Sequence, residues 1–149
     1  MRAKRSRLLR IAAAIAVIAL GIWLVQQLRE RHKAAEREAY YQTVLAKYTS
    51  ELKPGMTREE VEQHLQTDGK RFRQMCCVAD FRGVHVNLVD AGWDDLVKIG
   101  EESAPWFCNK NNVYIAFEFN PKSPGELSKT NASDTLKRVA VFHQLEECM

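Results

Sequence analysis

The sequence predicts an α+β protein: an N-terminal transmembrane helix, then a small domain of two helices and a three- or four-stranded antiparallel sheet. Three observations carry that expectation. A basic start precedes an uncharged apolar run, Ile11 to Val25. Two stretches of helical period follow, Tyr41 to Leu52 and Thr57 to Leu65. Beyond Gly69 the apolar period falls to two, most clearly from Val113 to Phe119. At 149 residues, 28 % charged and 46 % apolar, the chain has room for one ordinary domain and a short extra element. It is too short for a two-domain enzyme and too apolar for a disordered tail.

The basic start, Arg2, Lys4, Arg5, Arg7 and Arg10, and the apolar run behind it predict a membrane anchor over residues 8–28. About 20 helical residues span the ~30 Å hydrocarbon core, with Arg10 snorkelling at one end and Trp23 in an interfacial position near the other. A cleaved signal peptide would end in a small-residue site, and Gln26, Gln27, Leu28, Arg29 and Glu30 supply none. A lipoprotein would need a cysteine just after the run, and the first cysteine is Cys76. A buried helix of a soluble domain would show a polar face, which residues 11–25 lack. The flanking charges orient the N-terminus to the cytoplasm, placing the remainder in the periplasm of a bacterium. The expected organisation is therefore a basic tail and signal anchor over 1–28, a helical linker over 29–39 and a periplasmic α+β domain over 40–149.

Charge divides along the chain. Residues 1–49 hold ten Lys/Arg against three acids, a net +7, and residues 50–149 hold twelve against sixteen, a net −4. The domain is mildly acidic, so nucleic acid is not an expected partner: phosphate binding needs clustered positive charge on the folded domain itself.

Within the domain, Tyr41, Val44, Leu45, Tyr48 and Leu52 make the apolar stripe of a first helix, which stops at Pro54-Gly55. Thr57 followed three residues later by Glu60 reads as a capping box, with Met56 and Val61 as a hydrophobic staple. Val61 and Leu65 form the buried face of a short second helix ending near Asp68-Gly69. Strands are expected over 71–79, weakly over 95–100, strongly over Val113–Phe119, and over Leu136–Leu145 with Val139 and Val141 on one face against Ala140 and Phe142 on the other. Residues 121–134, PKSPGELSKTNASD, rich in turn formers and polar groups, read as a loop.

The segment Leu52 to Leu65, LKPGMTREEVEQHL, resembles the start of the SmpA/OmlA family, the BamE-like lipoproteins of the outer-membrane assembly machinery. An L-x-x-G-M-T-x-x-x-V-x-x-x-L pattern carries the resemblance through Leu52, Gly55, Met56, Thr57, Val61 and Leu65. Gly55 permits the tight turn and Thr57 caps the next helix, so the pattern also has a physical reason of its own. The resemblance implies a BamE-like two-helix and antiparallel-sheet fold and an envelope location. The chain departs from the family in carrying no lipid-bearing N-terminal cysteine, and Gln66-Thr67-Asp68-Gly69 stands where a Gly-x-Pro segment is usual.

Four cysteines, Cys76, Cys77, Cys108 and Cys148, fall in the part expected to be exported, and an even count in an oxidising compartment predicts disulfides. Three pairings are possible. On a strand, Cys76 and Cys77 would point to opposite faces, so each is expected to take a distant partner, with Cys108 and Cys148 as candidates. Thiol redox chemistry at Cys76 or Cys77 competes, without the C-x-x-C helix start that usually serves it. A zinc site on His64, His85 or His143 lacks ligand spacing, so no metal is expected. Asp90, Asp94, Asp95, Glu101 and Glu102 surround Trp93, and Pro105-Trp106-Phe107 follows. The plain reading is a solvated acidic loop with two aromatics at the sheet edge; the sharper one is a protein-binding surface of Trp93, Trp106, Phe107, Asp94 and Asp95. Asn131-Ala132-Ser133 matches a glycosylation sequon.

The sequence carries no nucleophile elbow, P-loop, Gly-rich nucleotide turn or H-E-x-x-H, so no catalytic residue and no cofactor are expected. The function expected from these features is a non-catalytic, membrane-anchored periplasmic module that contacts lipid through residues 8–28 and binds another envelope protein. An envelope thiol-disulfide oxidoreductase or other small envelope enzyme using Cys76 or Cys77 is the alternative.

Overall fold

Residues 29–38, RERHKAAERE, contain no Gly or Pro and favour helix throughout, so nothing local interrupts the first helix there. In the computed structural model, which describes residues 2–76, 93–122 and 130–149, α1 accordingly runs unbroken over Arg2–Glu51. The chain divides into two compact units, residues 1–40 and residues 41–149.

In the first unit the apolar side chains from Ile15 to Leu28 are 48 % to 70 % exposed. The expectation of a transmembrane anchor over residues 8–28 is overturned, and with it the single-pass inner-membrane placement: among the described residues no helix is long and apolar enough to cross a membrane. The reason is length. The uncharged apolar run from Ile11 to Val25 is fifteen residues, ~22 Å of helix against the ~30 Å of a hydrocarbon core. Gln26 and Gln27 follow, and then Arg29, Glu30, Arg31 and Lys33.

The second unit begins with the last three turns of α1 and continues through α2 (Arg58–Thr67), β1 (Arg73–Cys76), β2 (Trp93–Glu102), β3 (Cys108–Asn120) and β4 (Thr135–Cys148). The four strands form one sheet in the order β1-β2-β3-β4, every neighbouring pair antiparallel. β2, where a weak strand over 95–100 and an acidic loop around Trp93 are expected, is a ten-residue strand that takes in Trp93, Asp94 and Asp95. Of the expected strand over 71–79, residues 77–79 lie outside the described residues, as do 123–129 of the loop.

The turn between the helices shows why these residues stand there. Gly55 adopts φ +94°, a left-handed conformation in which a side chain would be strained. Thr57 is the N-cap of α2: its hydroxyl accepts from the Glu60 N–H, and the Glu60 carboxylate accepts from the Thr57 N–H at 2.7 Å. Both bonds satisfy donors that the first turn of a helix leaves open. At the other end Gly69, φ +67°, follows the C-cap Asp68. The Lys70 N–H reaches the Leu65 carbonyl and the Gly69 N–H that of Gln66, a Schellman closure.

The same turn is sewn to β4. The Gly55 N–H donates to the Leu136 carbonyl at 2.8 Å, the Leu136 N–H to the Met56 carbonyl at 2.7 Å, and the Arg58 N–H to the Asp134 carbonyl at 2.8 Å. Residues 55–58 thus act as a short extra strand along the first residues of β4.

Both helices cover one face of the sheet. Tyr48, Leu52, Val61 and Leu65 pack with Val97, Ile115, Phe117, Phe119 and Leu136, and the Tyr48 ring meets Phe117 edge to face at 5.2 Å. Each such side chain contributes about 1.5–3 kcal/mol by leaving water. On the opposite face Leu96, Tyr114 and Ala116 are buried, with Met75 and Phe142 against them. β3 is therefore apolar on both faces, as a central strand should be. Gly100 on β2 lies so close to Tyr41 that a Cβ there would come within 2.7 Å of the Tyr41 hydroxyl oxygen. Only the absence of a side chain lets that buried ring lie against the strand.

Candidate functional site

Two constellations stand out on the second unit, one buried and charged, the other exposed and apolar.

The buried one centres on Arg58. It is the first residue of α2 and shares a helical stripe with Val61 and Leu65, so its side chain points into the domain and is only 2 % exposed. Its Nη1 donates to Asp95 Oδ1 at 2.6 Å, its Nη2 donates to the Trp93 carbonyl, its Nε stands 3.5 Å from Asp134 Oδ2, and its guanidinium stacks 3.9 Å from the centre of the Phe119 ring. One cation therefore ties the start of α2 to the first residues of β2 and to the approach to β4. Asp134 is occupied elsewhere too, accepting the Lys122 N–H and the Asn131 N–H at 3.0 Å each. Asp94 accepts the Phe119 N–H at 3.3 Å, where a register irregularity interrupts β3. Asp94 and Asp95 are 6 % and 0 % exposed. As candidates for a partner-binding surface they are corrected: their carboxylates face inward to Arg58 and the Phe119 N–H.

Burial has a measurable consequence for Asp95. Desolvation pushes its carboxyl up to about 7 from an ordinary value of 3.8, although Arg58 pulls the other way. Its Oδ2 has no hydrogen-bond partner among the described residues, and the pull of Arg58 and Gln74 offsets the desolvation only in part. A carboxyl that binds its proton more tightly folded than unfolded stabilises the fold fully below the unfolded value, and the contribution is lost as pH rises through the folded one. The stability of the domain in urea is expected to fall by a few kcal/mol between about pH 4 and pH 7. Asp95→Asn should remove that slope; an unaltered slope in the variant would show that Asp95 does not cause it. Glu60, Asp68 and Glu147 are held below their usual range by partners, Glu60 by the Thr57 amide, Asp68 by Lys47 and Glu147 by Lys110. Their contributions are lost only below that window, as pH falls.

The exposed constellation is the β2–β3 turn. The Cys108 N–H donates to the Pro105 carbonyl at 2.9 Å, closing a four-residue turn with Trp106 and Phe107 at its two corners. Trp106 is 88 % exposed and Phe107 40 %, their rings edge to face at 5.8 Å. Met149, 95 % exposed, is joined to the same turn by its N–H, which donates to the Phe107 carbonyl at 2.9 Å. Beneath them Cys108 and Cys148 are register partners whose Cα atoms stand 3.9 Å apart, and a disulfide between them is compatible with that placement. This corrects the expectation that Cys108 and Cys148 are the distant partners of Cys76 and Cys77: the antiparallel register brings the former pair together. Cys76 ends β1, opposite Trp93, and Cys77 lies outside the described residues.

Trp93 and the Trp106–Phe107 pair are placed at opposite ends of β2 and are not brought together. Of the histidines weighed for zinc, His85 lies outside the described residues and His143 packs edge-on to Tyr41 at 6.3 Å. His64 meets Glu51 at 3.0 Å, and with Asp68 these three offer ligand atoms within 4.8 Å of one another. The positive charge at this corner is supplied by Lys47, whose ammonium bonds Asp68 and whose pKa is raised by that bond. Sequence reasoning missed Arg58 and Met149. Arg58 carries a signal in its spacing of three and seven from Val61 and Leu65; Met149 carries none, because only the β3–β4 register brings it to the turn.

Fold and site together define a small α+β domain with a buried arginine clamp and an exposed aromatic turn. Compared with protein-family models, curated proteins and solved structures, the chain matches none.

Proposed function

We propose that the domain over residues 41–149 is a non-catalytic protein-binding module whose contact surface is the turn formed by Trp106 and Phe107 together with Met149. The observation that carries this reading is the exposure of the paired Trp106 and Phe107 rings on a turn closed by the Pro105–Cys108 bond, with exposed Met149 held to the same turn through its backbone bond to Phe107. Rigid, exposed aromatics are the usual anchors of interfaces, since they bury much area while losing little conformational freedom. The resemblance of Leu52–Leu65 to the SmpA/OmlA pattern supports a protein of the bacterial envelope as the partner.

A photo-crosslinking residue placed at Ser103, beside the turn, is expected to capture one protein reproducibly from cells. Trp106→Ala combined with Phe107→Ala should reduce that capture by at least about tenfold, each lost anchor being worth 1–2 kcal/mol or more. Trp106→Ala alone should leave the melting temperature unchanged, because that side chain is 88 % exposed, and the double variant should lower it only by what the part-buried Phe107 contributes. Equal capture by the double variant and the natural chain would overturn the proposal.

A further inference from the structure

Among the described residues β4 is the last strand of the sheet, and its outer edge is covered only at its beginning, where residues 55–58 bond Leu136. From Val139 to Glu146 no backbone bond reaches that edge among the described residues. The direction of its polar groups can be read from the register. The Met149 N–H points inward to the Phe107 carbonyl, and pairing with β3 then runs without a shift from Cys148 back to Arg138. Backbone direction alternates along a strand, so the N–H and C=O groups of Ala140, Phe142, Gln144 and Glu146 point outward. Such a row of unpaired groups is a template for another strand.

The side chains along this edge say which strand. The segment begins with Lys137 and Arg138 and ends with Glu146 and Glu147, with Val139, Ala140, Val141 and Phe142 between. A strand whose two ends carry opposite charge is complementary to itself when paired antiparallel. Only one symmetric register uses this fully. With Phe142 opposite Phe142 on the two-fold axis, Lys137 of one copy faces Glu147 of the other, Arg138 faces Glu146, and Val139 faces Leu145. That register also sets Ala140 opposite Gln144, so outward-pointing residues meet outward-pointing residues and exchange both bonds. Moving the axis by one residue to Val141 or His143 keeps the backbone parity but separates the charges. Lys137, Arg138 and Glu147 are exposed and Glu146 is part-buried; Arg138 Nε also meets Glu118 at 2.7 Å, and Glu147 also bonds Lys110. Glu146 already accepts from Arg73 at 2.8 Å and from the Tyr114 hydroxyl at 3.2 Å, so the Lys137–Glu147 pair is the one that discriminates. Glu147 has φ +55°, so backbone pairing about the axis ends at Arg138 and Glu146, and Lys137 and Glu147 would meet just beyond it through their exposed side chains.

We infer that β4 pairs antiparallel with β4 of a second copy of this chain, joining two four-stranded sheets into one of eight strands about an axis through Phe142. The residues varied here, Lys137, Ala140 and Glu147, differ from Trp106 and Phe107, so the two proposals are tested by different variants and can fail independently. The test is sedimentation velocity of the full chain over a concentration series. The natural chain should sediment as a dimer that dissociates on dilution. Lys137→Glu sets like charges opposite each other twice in the dimer and should raise the dissociation constant about tenfold, while Lys137→Glu combined with Glu147→Lys should restore it. Ala140→Pro removes an outward N–H that β3 does not use, and should leave a folded monomer. If Ala140→Pro does not fold, the charge pair decides the matter alone, since both of its residues are exposed. A monomer at every concentration up to ~0.1 mM would overturn the inference. So would an association that Lys137→Glu leaves unchanged.

Discussion

Replacing Arg58 by methionine is expected to destabilise the domain by about 3–5 kcal/mol, the largest effect of any single substitution proposed for this chain. The magnitude follows from what is left behind. Asp95 would keep a buried carboxyl with neither oxygen bonded to a cation, Asp134 would lose the charge 3.5 Å from its Oδ2, and the Trp93 carbonyl would lose its donor. Methionine fills much of the volume over Phe119, so a cavity accounts for little of the loss. Chemical denaturation of the natural chain and the variant measures the difference. If charge is the cause, Arg58→Met combined with Asp95→Leu should recover a substantial part of the stability, since a buried ion pair is often replaceable by apolar groups of similar size. Failure of the double variant to recover any would mean that Arg58 acts mainly through its geometry, by holding the Trp93 carbonyl.

Removing the bond between Cys108 and Cys148 is the second large effect. A cross-link between residues 40 apart restricts the unfolded chain and, in the chain-entropy description, contributes about 4 kcal/mol. Cys108→Ser with Cys148→Ser is therefore expected to lower the unfolding free energy by that order, and reductant should lower that of the natural chain similarly. In the double variant reductant should have little further effect on this end of the sheet. The loss should be felt first at the turn, where Met149 and Phe107 are held together, so Trp106 fluorescence should respond to reductant in the natural chain before the sheet unfolds. A natural chain indifferent to reductant would show that the two thiols are not bonded in solution.

The parts of this fold that were legible in the residues are those decided within a few positions of themselves. The capping box needs only Thr57 and Glu60, and the left-handed turn only Gly55, so both can be recognised without knowing the fold. The alternation from Val113 to Phe119 is equally local, because a strand sends successive side chains to opposite faces whatever it packs against. Trp93 to Asp95 shows the limit. Two adjacent aspartates argue against a strand when taken alone, since strands disfavour Asp. In the fold one is matched by Arg58 and the other by the Phe119 N–H, and their penalty is offset by partners the local pattern does not contain. The apolar run at residues 11–25 shows a different limit: hydropathy marks it as greasy, but its fifteen residues fall short of the ~20 that cross a membrane.

From the amino-acid order alone came the helix caps, the turn at Gly55, the central strand and the acidic balance of the domain, because these depend on bonds and periods that close within one or two turns of chain. Tertiary structure alone decided that Arg58 is buried on Asp95, 37 residues away, that Cys108 meets Cys148, 40 residues away, and that Met149 joins Phe107 at the exposed turn. The physical reason is that desolvation and long-range pairing are properties of surroundings: a charge or a thiol is assigned its role only when the rest of the chain has removed its water and supplied its neighbour.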